Sequence, residues 1–267
     1  MSPLPPGPVA RPAAARSTGA RGLRAYRDFG GYQPLISADE LLAEVERSGL
    51  LAAAVRPSPC SEAARGARQR TTQRPRRGRG RQRRRRGAAS IKDRWLLRHR
   101  PHLILDGLRL AAAIVAADRA YVYVSDPESS RSIETALTEL DTDALGVPVQ
   151  VWMVEPGYVA GEETAAVRAL NGGPVKPTDK PPRPFEEGVG GRPTLVSNVE
   201  TLANLAYLQR HGSAEFRAQG TPMSPGTFLL TLTGAGGRRA STSYPWACLS
   251  PRYLRCMAFR PNRCRVC

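Results

Sequence analysis

Pro193-Thr194-Leu195-Val196-Ser197-Asn198-Val199-Glu200-Thr201-Leu202-Ala203-Asn204 decides the reading of this chain, together with the earlier Tyr158-Val159-Ala160-Gly161-Glu162-Glu163-Thr164. The first stretch is an extended segment that turns into a helix. Ser197 and Glu200 have the S-x-x-E spacing of a capping box, which predicts Ser197 as the N-cap. Val199, Leu202, Ala203 and Ala206 follow at helical spacing, and Gly212 stands where it can close the helix. Such a helix start presents free N–H groups and the positive end of a dipole, which suits phosphate or another anion. Spacing alone leaves two readings open, a well-capped structural helix and a ligand site.

Outward from that stretch, the whole chain has 267 residues, enough for a sizeable core and for one or two domains. Its formal charge of +17 would ordinarily point to nucleic acid or anionic lipid. The distribution argues otherwise. Twelve arginines lie between Arg65 and Arg86 with no acidic residue among them, and the remainder carries only a small positive balance. No apolar run is long enough to span a membrane, and no secretory apolar stretch follows Met1. Five cysteines, four of them after residue 247, are not a disulfide framework. A cytoplasmic protein is the expectation.

Local patterns predict alternating helices and strands. Residues 1–25, rich in Pro, Ala, Gly and Arg, read as a disordered leader. Residues 26–32 are turn-rich. Ser37 or Asp39 caps a helix that places Leu41, Leu42 and Val45 on one face and ends near Ser48-Gly49. Pro101 opens a helix with Ile104, Leu108, Ala111 and Val115 inward. Residues 120–124 and 149–154 read as strands, with an amphipathic helix carrying Ile133, Ala136, Leu137 and Leu140 between them. This alternation is that of an α/β sandwich. Residues 162–170 read as a helix ended by Gly172-Gly173. Lys180-Pro181-Pro182-Arg183-Pro184 reads as an extended, polyproline-type connector. Residues 227–233 are a strand. His99 and His102 have no ligand spacing and are expected at the surface. Cys264 and Cys267 have metal-like spacing, but no second pair accompanies them, so no metal is expected.

Gly161-Glu162-Glu163-Thr164, then Lys180-Pro181-Pro182, then Pro193-Thr194 with Asn198-Val199-Glu200-Thr201-Leu202-Ala203, resemble the flavin- and NADH-binding subunits of respiratory complex I, the 51 kDa family. The likeness covers roughly residues 21–50 and 89–236. It implies a 51 kDa-type FMN-binding α/β sandwich followed by the start of a β-grasp (SLBB-like) domain. It also implies an NADH dehydrogenase-type flavoprotein. In the family, FMN accepts hydride from NADH and passes single electrons to an iron–sulfur cluster, and a thioredoxin-like iron–sulfur subunit is the electron-transfer partner.

By that resemblance Gly161, Glu162 and Glu163 line the flavin and nicotinamide region, with Glu163 the catalytic candidate. Lys180 neighbours the nucleotide, and Val196, Ser197, Asn198 and Thr201 hold the flavin. Ser197 stands where relatives usually carry Asn. Arg183 stands where many have Phe against the adenine of NADH. Relatives hold a 4Fe–4S cluster with four cysteine thiolates, and those ligands are absent here.

Two stretches break the pattern. After Gly49-Leu50-Leu51 the family continues into a glycine loop around the flavin phosphate. This chain has Ala52-Ala53-Ala54-Val55 and then the arginine run. Leu51 to Pro59 can be encoded CTG GCC GCG GCG GTT CGG CCC TCG CCC. One G inserted after CTG turns it into Leu-Gly-Arg-Gly-Gly-Ser-Ala-Leu-Ala, the missing loop. The acidic Asn…Glu-Gly-Glu-Pro segment before Ser90-Ile91-Lys92-Asp93-Arg94 is missing as well. From Arg238, a shift of reading frame likewise yields Pro-Gly-Val-Tyr-Glu-Leu-Pro-Met-Gly, close to the family's Pro-Gly-x-Tyr-Glu-x-Pro-x-Gly. The expected organisation is therefore a leader at 1–25, the first part of the FMN domain at 26–51, and an out-of-frame arginine-rich segment at 52–88. The FMN/NADH domain proper follows at 89–222, the β-grasp start at 223–237 and an out-of-frame tail at 238–267. The alternative is a basic nucleic-acid-associated protein that uses a genuine Arg65 to Arg86 segment. Nucleic acid is not the partner expected.

Overall fold

The computed structural model describes residues 22–50, 91–141, 143–234, 240–245 and 264–266. The leader before residue 22, the missing glycine loop, the arginine run, Cys60 and Cys267 lie outside them. Helix α1 spans Leu23–Asp28 and α2 spans Ala38–Ser48. Of the two cap candidates for α2, Ser37 takes the role. Its hydroxyl accepts from the Glu40 N–H at 3.1 Å, and the Glu40 carboxylate accepts the Ser37 N–H at 3.1 Å. Gly49 ends α2 at φ 68°, a left-handed conformation that glycine adopts without a Cβ clash.

Helix α3 spans Lys92–His99, and α4 spans Pro101–Val115 with proline in the first turn, where its missing N–H is not needed. Strand β1 (Ala120–Val124), α5 (Pro127–Thr138) and β2 (Val149–Met153) form a β-α-β unit. The strands are parallel, with Ala120 opposite Val149 and Val124 opposite Met153. Asp126 starts α5 by accepting the Ser129 N–H at 3.0 Å, and it also receives Arg98 Nε at 2.8 Å. The Arg98 guanidinium holds the Asp126 carboxyl down at about 2. Helix α6 spans Glu163–Leu170 and α7 spans Val199–Arg217. Leu41, Ile104, Leu105, Ile133, Leu205 and Leu208 anchor one shared core. The α/β sandwich expected from the sequence is what forms.

Helix α4 packs along α7, and α2 packs against both of them. At the first crossing Gly107 lies under Leu202, whose carbonyl oxygen would be 2.0 Å from any added Cβ. Gly212 closes the first helical segment of α7, as expected, and a second segment begins after it. The chain takes a single non-helical step there, φ 75° and ψ 169°, and continues to Arg217. The restart is possible because the Ser213 N–H finds an acceptor outside the helix, the Glu44 carboxylate of α2. The Ser213 side chain, then Arg47 and the Ser213 N–H, hold the Glu44 carboxyl down at about 2.

A short hairpin of β3 (Gly220–Thr221) and β4 (Ser224–Pro225) leads to the second sheet. There β5 (Thr227–Gly234) lies between β6 (Ala240–Pro245) and β7 (Cys264–Val266), antiparallel to both. The strand expected at 227–233 is therefore present. Strands β6 and β7 fall within the stretch that the sequence reads as a tail; a backbone ladder asks little of side-chain identity.

The segment around Tyr26 is more ordered than its turn-rich composition predicts, and α1 begins inside the expected leader. Tyr26 OH donates to Asp106 Oδ2 at 2.8 Å, and the Tyr32 N–H donates to the same oxygen at 3.0 Å. Arg210 Nη2 donates to Tyr26 OH at 2.6 Å. His102, expected at the surface, is only 1% exposed. It sits on the inward side of α4 because two partners offset its burial. Tyr32 OH lies 3.1 Å from Nδ1, and the Glu139 carboxylate lies 3.1 Å from Nε2. The tautomer that satisfies both has Tyr32 donating to Nδ1 and Nε2–H donating to Glu139.

Burial pushes the His102 pKa below its ordinary value of about 6.5, against the opposing pull of Glu139. A base whose folded pKa is depressed stabilises the fold above its unfolded pKa. That stability is lost as pH falls through the folded value. Urea midpoints of the unmodified chain are thus expected to fall between pH 7 and pH 5. His102→Gln, which cannot titrate, should flatten part of that slope and cost about 1–3 kcal/mol at pH 7 through lost hydrogen bonds. Equal slopes in both proteins would show that His102 is not buried as a neutral ring.

Candidate functional site

The residues singled out from the sequence fall into two groups, one at each end of a single connector. The first group gathers at the start of α6. A one-turn 3-10 helix, Tyr158–Gly161, delivers Glu162 to the N-cap position. The Glu162 carboxylate accepts the N–H groups of Thr164 at 2.8 Å and Ala165 at 3.0 Å. The Thr164 hydroxyl also bonds to Glu162 and accepts the Thr178 N–H at 2.9 Å, drawing the following loop back over the helix start. That loop delivers Lys180, whose ammonium lies 3.0 Å from Glu162 and also pairs with Glu163.

Burial works against ionisation of Glu162, but the Thr164 and Lys180 hydrogen bonds outweigh it and hold its pKa below the ordinary value. Glu163, then Glu162, hold the Lys180 pKa above its ordinary value against partial burial. All three side chains remain between 33% and 39% exposed, so the triad is charged and reachable from solvent. Gly161 adds open space beside it. A Cβ there would meet nothing within 4 Å, and its φ is not positive. Neither packing nor backbone conformation calls for glycine at this position, which leaves close approach of a ligand as a physical reason for it.

The connector is not extended. Residues 180–187 run through bends and turns, and the peptide bonds before Pro181 and Pro182 are cis. This corrects the polyproline-type expectation. The polar groups of the connector close on themselves. Thr194 N–H donates to the Pro184 carbonyl at 2.8 Å, and Thr194 Oγ1 accepts the Val189 N–H at 2.9 Å. Asn171, at the end of α6, binds both the Gly188 carbonyl and the Gly190 N–H. Arg183 is exposed.

The second group sits at the start of α7. The cap is Asn198, not Ser197: Asn198 Oδ1 accepts the Glu200 N–H at 3.0 Å. The capping box fails because Glu200 does not reach back to the helix start. Its carboxylate turns to Lys92 Nζ at 3.1 Å and to the Leu229 N–H. Ser197 makes only a 3.5 Å contact to the Asn198 carbonyl and is half-buried. Val196 is 40% exposed, whereas Thr201 is 2% exposed. Sequence reasoning missed Lys92 and Asp93 as neighbours of this group, although the Ser90–Arg94 motif that contains them was visible. Asp93 Oδ2 accepts Asn198 Nδ2 at 3.2 Å.

These groups fit the ring half of a flavin: open backbone at Gly161, an exposed Val196 beside a half-buried Ser197, one amide proton left on Asn198, and an ion-paired triad for a dinucleotide. The segment that would meet a flavin phosphate lies outside the described residues. Among the described residues no three His, Cys, Asp or Glu side chains are grouped to hold a metal, and no helix is long and apolar enough to cross a membrane.

Residues 87–207 match the family model of the Nuo51 FMN-binding domain. The chain is 34% identical over 157 residues to an NADH-quinone oxidoreductase subunit of Rhizobium meliloti (strain 1021), a match covering 54% of this chain and 37% of the relative. It is 35% identical over 155 residues to the mitochondrial NADH dehydrogenase (ubiquinone) flavoprotein 1 of Dictyostelium discoideum, covering 54% and 32%. In three dimensions it resembles the crystal structure of an NAD+-reducing NiFe-hydrogenase in the air-oxidized state. The TM-score is 0.68 at 28% identity, over 78% of this chain and 37% of that one. The chain matches about a third of the length of these curated relatives.

Proposed function

We propose, from the match of residues 87–207 to the family model of the Nuo51 FMN-binding domain, that the chain descends from the flavin-carrying subunit of an NADH-oxidising complex. Bound FMN would supply hydride acceptance and single-electron release. The chain's own residues bind and orient. Gly161 admits the ring, and Val196 and Ser197 line its edge. Asn198 offers its remaining amide proton, and Thr201 supports the same turn from beneath. Lys180, held between Glu162 and Glu163, meets the dinucleotide. Glu163, the more exposed acid of the triad, would be the one to face the nicotinamide. The observation that carries this reading is the convergence of Lys180 on both glutamates beside the open backbone of Gly161.

The partner would be an iron–sulfur electron-transfer subunit, and the compartment the cytoplasm. Residues 89–222 form the FMN/NADH domain and 223–237 begin the β-grasp domain. Residues 52–88 and 238–267 are out-of-frame replacements that impair the activity. The DNA around the codons for Leu51 and Arg238 tests the frame reading, because a single-base shift must restore the glycine loop and the Pro-Gly-x-Tyr-Glu strand. The frame-restored product should then oxidise NADH with ferricyanide in an FMN-dependent reaction, and Lys180→Met should raise KM for NADH by about tenfold or more, the scale of one lost charged contact. A frame-restored product no faster than free FMN would refute the proposal.

A further inference from the structure

A single ammonium group ties the start of α7 to α3 and to the second sheet. Lys92 Nζ lies 3.1 Å from Asn198 Oδ1, 3.1 Å from Glu200 Oε2 and 2.6 Å from Asp93 Oδ1. Glu200 uses its other oxygen to accept the N–H of Leu229 on β5. Lys92 keeps only 17% of its side chain exposed and Glu200 only 7%. Burying an ammonium to that degree is costly unless carboxylates surround it, and here two do. Burial alone would lower the Lys92 pKa, but Asp93 and Glu200 hold it above its ordinary value, so the group stays charged.

The consequence for Asn198 is geometric. Its oxygen accepts from both Lys92 Nζ and the Glu200 N–H, and its nitrogen donates to Asp93. Flipping the amide would turn its NH2 against an ammonium and its oxygen against a carboxylate. Lys92 and Asp93 therefore fix both the rotamer and the flip state. One N–H of the amide is left over, in a direction the cluster dictates.

We propose that Lys92 is a positioning residue for the flavin seat: it aims the free amide proton of Asn198 and, through Glu200 and Leu229, makes the first turn of α7 and strand β5 move as one unit. The proposal rests on the flavin reading for what Asn198 is aimed at, but not for the coupling to β5. Loss of the ammonium leaves Glu200 buried without its counter-charge, which frees Glu200 from Leu229 and Asn198 from its single orientation.

Two measurements test it, each with Lys92→Met and Lys92→Arg. In the full chain as it stands, amide hydrogen exchange is followed at Glu200 and Leu229. Lys92→Met should speed both by about tenfold or more, while Lys92→Arg, which can still bridge the two acceptors, should stay within about threefold of the parent. Unchanged exchange in Lys92→Met overturns the coupling. In the chain with the glycine loop restored in frame, FMN affinity is titrated. Lys92→Met should weaken it by about tenfold and Lys92→Arg should recover most of the loss. If the restored parent binds FMN and Lys92→Met binds it equally well, the positioning role is wrong and the flavin reading survives. If the restored parent binds no FMN, the flavin reading fails and the exchange data still decide the coupling. Should Lys92→Met not fold, Glu200→Gln replaces it. That change keeps the shape, removes the charge, and should speed exchange at Leu229 if the coupling is real.

Discussion

Gly107→Ala is expected to destabilise the chain by about 3 kcal/mol or more, at the upper end of overpacking substitutions. The added Cβ would sit 2.0 Å from the Leu202 carbonyl oxygen and 2.5 Å from its carbon. Both are backbone atoms inside a helix, so no side-chain rotation can relieve the contact. Helices α4 and α7 would have to separate along their first crossing. Leu202 lies one turn after Asn198, so the displacement also moves the candidate flavin seat. Urea unfolding at pH 7 reads the effect directly. A loss below about 1 kcal/mol would mean that the two backbones are not in contact at this point.

The chain as it stands is expected to purify colourless and to show no micromolar binding of FMN. A flavin phosphate is a dianion. In the family, glycines bring backbone N–H groups close to it, and here Ala52, Ala53 and Ala54 carry Cβ atoms in that stretch. Losing several charge-assisted hydrogen bonds, each worth about 1.5–3 kcal/mol, lowers affinity by orders of magnitude even with the α7 donors in place. The version with the loop restored in frame should bind FMN more tightly by a factor of about a thousand, the equivalent of two such bonds. A yellow product with one flavin per chain, from the sequence as it stands, would refute this.

Most elements were legible in the sequence because their signals are local. Ser37 with Glu40, Pro101, and the alternation around Val122 and Val151 need no knowledge of the rest of the chain. The misreadings at Ser197 and His102 share one cause, a polar group whose partner lies far away. Ser197 has the right spacing for a capping box, but Lys92, more than a hundred residues earlier, claims the Glu200 carboxylate. Gly212 does stop the helix, but the second segment that follows, with the Ser213 N–H on Glu44 of α2, had no local signal. His102 reads as a surface residue because neither Tyr32 nor Glu139 is near it in sequence. The Glu162–Glu163–Lys180 triad was anticipated only as members of a motif; the mutual ion pairing required the Thr164–Thr178 hydrogen bond that draws the loop carrying Lys180 back over the helix start.

The framework is held at both ends of the stretch from residue 51 to residue 90. Before it, Leu41, Val45 and Leu50 of the α2 region are buried in the core, and after it Leu96 and Leu97 of α3 are buried in the same core. Closing a segment between two fixed points costs free energy that grows only with the logarithm of its length, about 0.6 kcal/mol per doubling. A reading-frame error confined between such anchors would therefore go almost unnoticed by thermodynamics. The helices would assemble, and the cell's quality control, which senses unfolding, would have little to act on. What disappears first is the ligand, and the lesion would persist as a stable, well-packed protein with an empty task.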